Sequence, residues 1–311
     1  MNNRILGLHH ITAIAGDPQR NFDFYTRSLG LRLIKKTVNF DDPRTYHFYF
    51  GDEMGTPGTI LTFFPWPGAR PGKTGSGMIS DMGFSVPQGS LGYWIERFEA
   101  LGVPHGVVRE SFGEQQVTFS DPDGLQMILI ETRHQDRRTG WTGSSIPATA
   151  ALKGFHTVKL SLNETRGTAE ILEDLFGYSQ LEREGNMRRF TTDAVENAAH
   201  IDLLEEKDAP RGLNSAGTYH HVAFRVKNED ILMEFREKVL QRGLSITDKI
   251  DRDYFFSLYF REPGGVLFEI ATDNPGFTKD ERPEDLGKAL QLPSRYEPSR
   301  SQIEKALPEI R

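Results

Sequence analysis

Nine histidines occur in the 311-residue sequence, and four of them form two doublets: His9–His10 in "LHHITAI" and His220–His221 in "YHHVAFR". Each doublet heads an alternating apolar run, the pattern of a strand with one face against a core. A glutamate stands in a third such run, Glu269 in "GGVLFEIAT", between Phe268 and Ile270. A carboxylate in an apolar strand is costly to bury without a partner. The sequence has no cysteine. That removes thiolate metal sites, iron–sulfur clusters, disulfides and thiol nucleophiles together, so a metal ion would be held by His, Asp, Glu or backbone oxygen. Two histidines and one carboxylate converging on a point form the facial triad that suits Fe(II), with positions left open for a substrate and O2. His221 and Glu269 supply one pair; the second imidazole would come from His10 or from His156 in "GFHTVKL".

The elements that must position these residues recur four times. Segments opening at Gly7, Met78, Lys153 and Gly217 each read as a strand, a polar loop and an amphipathic helix that stops at a glycine. His10 to Gly30 is 20 residues, Asp81 to Gly102 is 21, His156 to Gly177 is 21 and His221 to Gly243 is 22. Further strand-like runs follow each helix, with hairpin turns in "DPDG" and "EPGG". Each module therefore reads βαβββ, an α+β unit with an open apolar sheet face that must pair with another. The first-strand position holds His10, Asp81, His156 and His221. The last-strand position holds Thr62, Ile128, Asp202 and Glu269. Two paired, barrel-like domains are expected over residues 1–135 and 152–275, joined by a polar Gly/Ser/Pro-bearing linker at 136–151 and followed by an extension at 276–311. The extension has mixed charge and several prolines, and reads either as a wrap that closes over the site or as a disordered tail.

The repeats, with a His opening one module and a Glu closing it, resemble the vicinal oxygen chelate superfamily of glyoxalases, antibiotic-resistance proteins and extradiol dioxygenases. The longer motifs "FYTRSLGLRLIKKTVNFDD", "TYHHVAFRV" and "SLYFREPGGVLFEIATDNPGF" resemble the ring-cleaving p-hydroquinone 1,2-dioxygenases, over about residues 5–290. The resemblance implies a metal, Fe(II) or else Mn(II), held by His10, His221 and Glu269. It also implies residues around the metal: His9 and Thr12 binding substrate, and His220, Tyr259 and Arg252 in catalysis. His220 would serve as acid or base, since imidazole titrates near working pH. Tyr259 or Arg252 would hold an oxyanion, unless Arg252 pairs with Asp251 or Asp253 beside it. His47 and Trp66 are candidates for a cavity wall or for core.

The composition narrows the rest. A formal charge of -7 opposes nucleic acid as a main partner. No apolar run reaches membrane-spanning length and no secretory leader is evident, so a cytoplasmic protein is expected. The partners implied are a small aromatic molecule and O2; the sequence does not fix the oligomeric state, a homo-oligomer being one option. Two other functions remain. A glyoxalase-type lyase or isomerase would need a fourth ligand, which Asp202 could supply beside His156 and Thr62 could not supply beside His10. A metal-free protein that sequesters an aromatic drug would have no use for the His221/Glu269 pair.

Overall fold

Each module folds as its periodicity predicts. The computed structural model describes residues 4–311. Module one comprises β1 (Leu8–Ala15), α1 (Pro18–Asp23), β2 (Arg32–Val38), β3 (Tyr46–Gly51) and β4 (Ile60–Pro65). Module two comprises β5 (Met78–Val86), α2 (Leu91–Leu101), β6 (Arg109–Ser111), β7 (Glu114–Ser120) and β8 (Gln126–Glu131). Module three comprises β9 (Gly154–Leu162), α3 (Arg166–Glu170), β10 (Ser179–Glu184), β11 (Met187–Thr191) and β12 (His200–Glu205). Module four comprises β13 (Thr218–Val226), α4 (Glu229–Gln241), β14 (Ile250–Asp251), β15 (Phe255–Arg261) and β16 (Leu267–Pro275). Asp17 and Asn228 cap α1 and α4 by accepting from Arg20 N and Ile231 N, which satisfies free helix-start donors. The four glycines that end the helical segments, Gly30, Gly102, Gly177 and Gly243, all have left-handed φ of 66–75°, as helix stops require.

The modules form two curled eight-stranded sheets, each a half-barrel. One runs β14-β15-β16-β13-β1-β4-β3-β2 and the other β10-β11-β12-β9-β5-β8-β7-β6. Module one therefore shares its sheet with module four, and module two with module three. The contiguous pairs expected at 1–135 and 152–275 are not sheet units. The reason lies in what consecutive modules do with their helices. In module one the Tyr25 hydroxyl donates to Asp121 in the turn of module two, and in module three the Thr168 hydroxyl donates to Glu262 in the turn of module four. Phe176, after α3, packs on Phe224 and Phe268 of module four. Chain neighbours thus meet back to back through the helical layer. Their open strand edges are left to pair crosswise, β1 with β13 and β5 with β9.

The segment between β8 and β9 is not a loose joint. Ile146, Ala150, Ala151 and Leu152 are buried in the core, the Trp94 indole donates to the Ala150 carbonyl, and Arg138 donates to the carbonyls of Gly58 and Phe155. The extension is ordered as well. It carries three short 3-10 turns and α5 (Arg300–Ala306). Leu286, Leu292, Ile303 and Leu307 are buried. Among the described residues no helix is long and apolar enough to cross a membrane.

Candidate metal centre and its cavity

On the central strands of the first sheet, alternation puts Ile11, Val222, Phe268 and Ile270 into the core and the intervening side chains on the concave face. Across the ladders His10 stands opposite Ala223, Thr12 opposite His221, and Ala223 opposite Glu269. Adjacent strands thereby bring three ligand-type side chains together from modules one and four. His10 Nε2 lies 3.1 Å and His221 Nε2 2.8 Å from Glu269 Oε2, and the two Nε2 atoms are 3.4 Å apart. All three residues are buried, and among the described residues this is the one cluster of three or more such side chains placed to hold a metal ion.

The doublets set the state of these nitrogens. His9 Nε2 lies 3.1 Å from the Thr272 carbonyl, which can only accept. His9 Nε2 therefore carries the hydrogen, and its Nδ1 accepts from His10 Nδ1–H at 2.9 Å. His10 Nε2 is left as a lone pair. The second doublet repeats the contact, with His220 Nδ1 2.7 Å from His221 Nδ1. Glu269 is fully buried and neither of its oxygens has a hydrogen-bond donor. The His10 lone pair faces a buried carboxylate, and a cation between them, reached also by His221 Nε2, would satisfy both. Burial alone would raise the Glu269 pKa, but His10 and His221 outweigh it and hold the group well below the usual carboxylate range. Burial lowers the His221 pKa, with Glu269 opposing. The donor set fits a divalent metal.

The triad opens on a cavity of about 340 Å3, lined by Thr12, His220, Arg252 and Tyr259 together with His47, Tyr49, Phe64 and Trp66. Arg252 pairs with neither acidic neighbour. It reaches across to Asp41 at 3.4 Å, and its guanidinium lies over the Tyr259 ring. The Asp41 side chain is 81% exposed, which marks this pair as the edge of the opening. No residue of the extension lines the cavity, so it does not close over the site. It braces the rim instead, where Arg295 and Tyr296 donate to the carbonyl of Phe40, itself a lining residue. Tyr259 has its pKa raised by burial and by Glu269.

The placement expected of His9 needs correction. His9 does not face the cavity; it is 2% exposed and both its nitrogens are engaged, so it orients His10 rather than touching a substrate. His220 lines the cavity, and burial and His221 push its pKa down to about 3.

Register places His10, and not His156, beside His221 and Glu269. Thr157 stands opposite Gly83 as His10 stands opposite Ala223, so Thr157 is the counterpart of His10 and His156 that of His9. Both strands follow a glycine with positive φ, Gly7 at 74° and Gly154 at 126°. Counting from those glycines would have exposed the slip of one residue. His156 Nε2 meets Glu114 at 2.9 Å, Arg189 holds Asp202 through two contacts of 2.8 and 2.9 Å, and its third nitrogen reaches Glu114. In the second half-barrel the triad's positions hold Thr157, Asp81 and Ile128, and Asp202 is held in an ion-pair network and not free to bind a metal.

The chain matches the Glyoxalase/Bleomycin resistance protein/Dioxygenase superfamily over residues 7–129 and 154–270. It is 43% identical over 307 residues to MhqO of Bacillus subtilis, a protein provisionally named a ring-cleaving dioxygenase, covering 99% of this chain and 97% of that one. It is 36% identical over 302 residues to a chlorohydroquinone/hydroquinone 1,2-dioxygenase of Sphingobium indicum, covering 94% and 93%. Among solved structures, a provisionally named dioxygenase from Bacillus subtilis superposes with a TM-score of 0.95 at 43% identity, covering 99% and 98%. Glyoxalase I from Zea mays superposes at 0.62 with 15% identity, covering 87% and 92%, a likeness of fold alone.

Proposed function

This chain belongs to the Glyoxalase/Bleomycin resistance protein/Dioxygenase superfamily, and from that premise we propose that it is an Fe(II)-dependent, extradiol-type ring-cleaving dioxygenase. The substrate is a hydroquinone-type aromatic, cleaved between a hydroxyl-bearing carbon and its neighbour with O2 as co-substrate. The single observation that carries the reading is the buried convergence of His10, His221 and Glu269 at a cavity lined by aromatic and polar groups. The names of the Sphingobium and Bacillus relatives support the reaction class.

A divalent metal held by these three side chains would supply Lewis acidity and open positions at which substrate and O2 meet. Mn(II) accepts the same donors. The chain's own residues do the rest. Phe64, Trp66 and Phe255 enclose a flat ring and exclude water from it. A p-hydroquinone has only one oxygen at a time within reach of the metal, so its orientation must come from the walls. Arg252 presents a permanent positive charge to oxygen charge that develops during cleavage, with Tyr259 beside it as a neutral donor. His220, with Nδ1 engaged by His221, has only Nε2 to offer the cavity and acts there as a neutral hydrogen-bonding group.

A lyase would need a fourth ligand opposite the triad. The side chain there is Thr62, whose hydroxyl is already bonded to Thr12 and His47. The test is O2 uptake by the Fe(II)-loaded protein on adding hydroquinone or methylhydroquinone, with catechol in parallel. Stoichiometric uptake with a ring-opened chromophore, stronger for the hydroquinones, is the expected result. Uptake with catechol alone would overturn the substrate assignment, and none with any of the three would overturn the reaction class.

A further inference from the structure

The concave wall formed by β1, β4 and β3 carries a chain of hydroxyls and one imidazole that the chemistry above leaves unused. Thr12 Oγ1 lies 2.9 Å from Thr62 Oγ1, Thr62 Oγ1 lies 3.0 Å from His47 Nε2, and His47 Nδ1 lies 3.0 Å from the Tyr49 hydroxyl. The chain crosses the sheet rung by rung, since Thr12 stands opposite Thr62 and Thr62 opposite Tyr49. Thr12, His47 and Tyr49 line the cavity, whereas Thr62 is fully buried and joins them from behind.

Hydrogen counting restricts this chain sharply. Each hydroxyl has one hydrogen and can also accept, and a neutral imidazole has one N–H and one lone pair. Burial, reinforced by His10, depresses the His47 pKa well below its usual value and keeps the ring neutral. Two arrangements then satisfy every contact. In one, Thr12 donates to Thr62, Thr62 to His47 Nε2, and His47 Nδ1–H to the Tyr49 oxygen. In the other, each donor points back along the chain and the hydrogen sits on Nε2.

Resting on the function proposed above, we propose that Thr12, Thr62, His47 and Tyr49 form a proton relay that carries the proton of the substrate hydroxyl away from the metal centre. The substrate O–H bond breaks and its proton bonds to Thr12 Oγ1. The Thr12 hydrogen passes to Thr62, that of Thr62 to His47 Nε2, that of His47 Nδ1 to the Tyr49 oxygen, and that of Tyr49 to water in the cavity. The substrate is left as a phenolate, the water takes the proton, and no group of the chain changes its charge. His47 passes from its Nδ1–H to its Nε2–H tautomer. A relay of this kind lets the substrate lose its proton without leaving a charge on any buried group of the chain.

The decisive variant is Thr62→Val, which cuts the chain at a residue outside the cavity lining, with Thr62→Ser as the rescue. Two quantities are measured: kcat and KM for hydroquinone in the Fe(II)-loaded protein, and the ring 15N shifts of His47 in protein loaded with diamagnetic Zn(II), before and after adding hydroquinone. In the parent the His47 hydrogen is expected to move from Nδ1 to Nε2 on addition. In Thr62→Val no such move is expected, and kcat should fall on the order of a hundredfold, the lower end for lost acid–base assistance. KM and metal content should stay near the parent values, and Thr62→Ser should recover most of kcat. A parent-like kcat in Thr62→Val would overturn the relay. So would a loss of kcat with no tautomer change in the parent, because that loss would be one of packing. If the parent turns over no hydroquinone, the proposed function has failed; the tautomer measurement then judges the relay alone, and an unchanged His47 overturns it.

Discussion

Glu269 is the residue on which the account turns, and its surroundings make an unusual prediction about stability. In the metal-free protein neither carboxylate oxygen has a hydrogen-bond partner, although His10 Nε2 and His221 Nε2 lie 3.1 and 2.8 Å from one of them. A Glu269→Gln side chain has the same shape and brings an N–H2 group that can donate to those nitrogens. The variant should therefore lose bound metal, measured by elemental analysis, yet unfold at a higher temperature than the metal-free parent. The gain should be about 1–3 kcal/mol, the usual cost of an unsatisfied buried group. His156→Ala should retain full metal content. A Glu269→Gln protein that keeps its metal, or that is less stable than the metal-free parent, would contradict the donor assignment. The triad itself was legible from residue types and from the resemblance. The roles of the neighbours were not, because a doublet does not reveal which histidine lies behind the other. That depends on where the carbonyl of Thr272 falls, on a strand 263 residues away.

At the same scale His200 makes a pH prediction. Burial, with His156 next, lowers its pKa from 6.5 to about 3. The unfolded chain therefore binds the proton more readily between those values. The stabilising contribution is present above pH 6.5 and is lost as pH falls toward 3, at about 1.4 kcal/mol per pH unit. Urea midpoints of the parent should fall from pH 6.5 to pH 4, and His200→Gln should flatten that slope. An unchanged slope in the variant would assign the acid sensitivity elsewhere.

At the scale of elements, the four helices and their glycine stops were readable because amphipathic spacing and left-handed caps are local signals. Strand register was less so. Aligning His156 with His10 placed it one position out, and with a side-chain period of two a slip of one turns a residue to the other face. The ladder contacts that correct it are long-range. The extension shows a further limit of sequence reading, since its charged composition hid a specific anchor. Lys35, on β2, is fully buried and its ammonium lies 2.5 Å from both Asp280 and Glu281. Lys35→Met would leave the buried Glu281 unpaired, at a cost of about 3–5 kcal/mol. Hydrogen exchange should rise across residues 276–311, and a protection pattern like the parent's would show that apolar packing alone holds the segment.

For the whole molecule, four modules and two half-barrels could be counted in the sequence, but their pairing could not. Each module alone has one open edge, and nothing in the period of a strand says which other edge will meet it. The crosswise pairing has a direct consequence for function, because His10 comes from module one while His221 and Glu269 come from module four. A fragment of residues 1–135 and a fragment of residues 152–311 should each fail to bind metal, and mixing them should restore binding. Metal bound at parent affinity by the C-terminal fragment alone would contradict the pairing.

The half-barrels have also parted in chemistry. The first converges on a cation site, while Arg189, Asp202 and Glu114 neutralise one another in the second. One metal centre per chain follows, and titrating the metal-free protein with Fe(II) under anaerobic conditions, then measuring O2 uptake with hydroquinone at each step, tests this most directly. The account predicts activity that rises in proportion to iron and stops rising at one equivalent per chain. Activity without added metal, or a rise that continues to two equivalents, would contradict it.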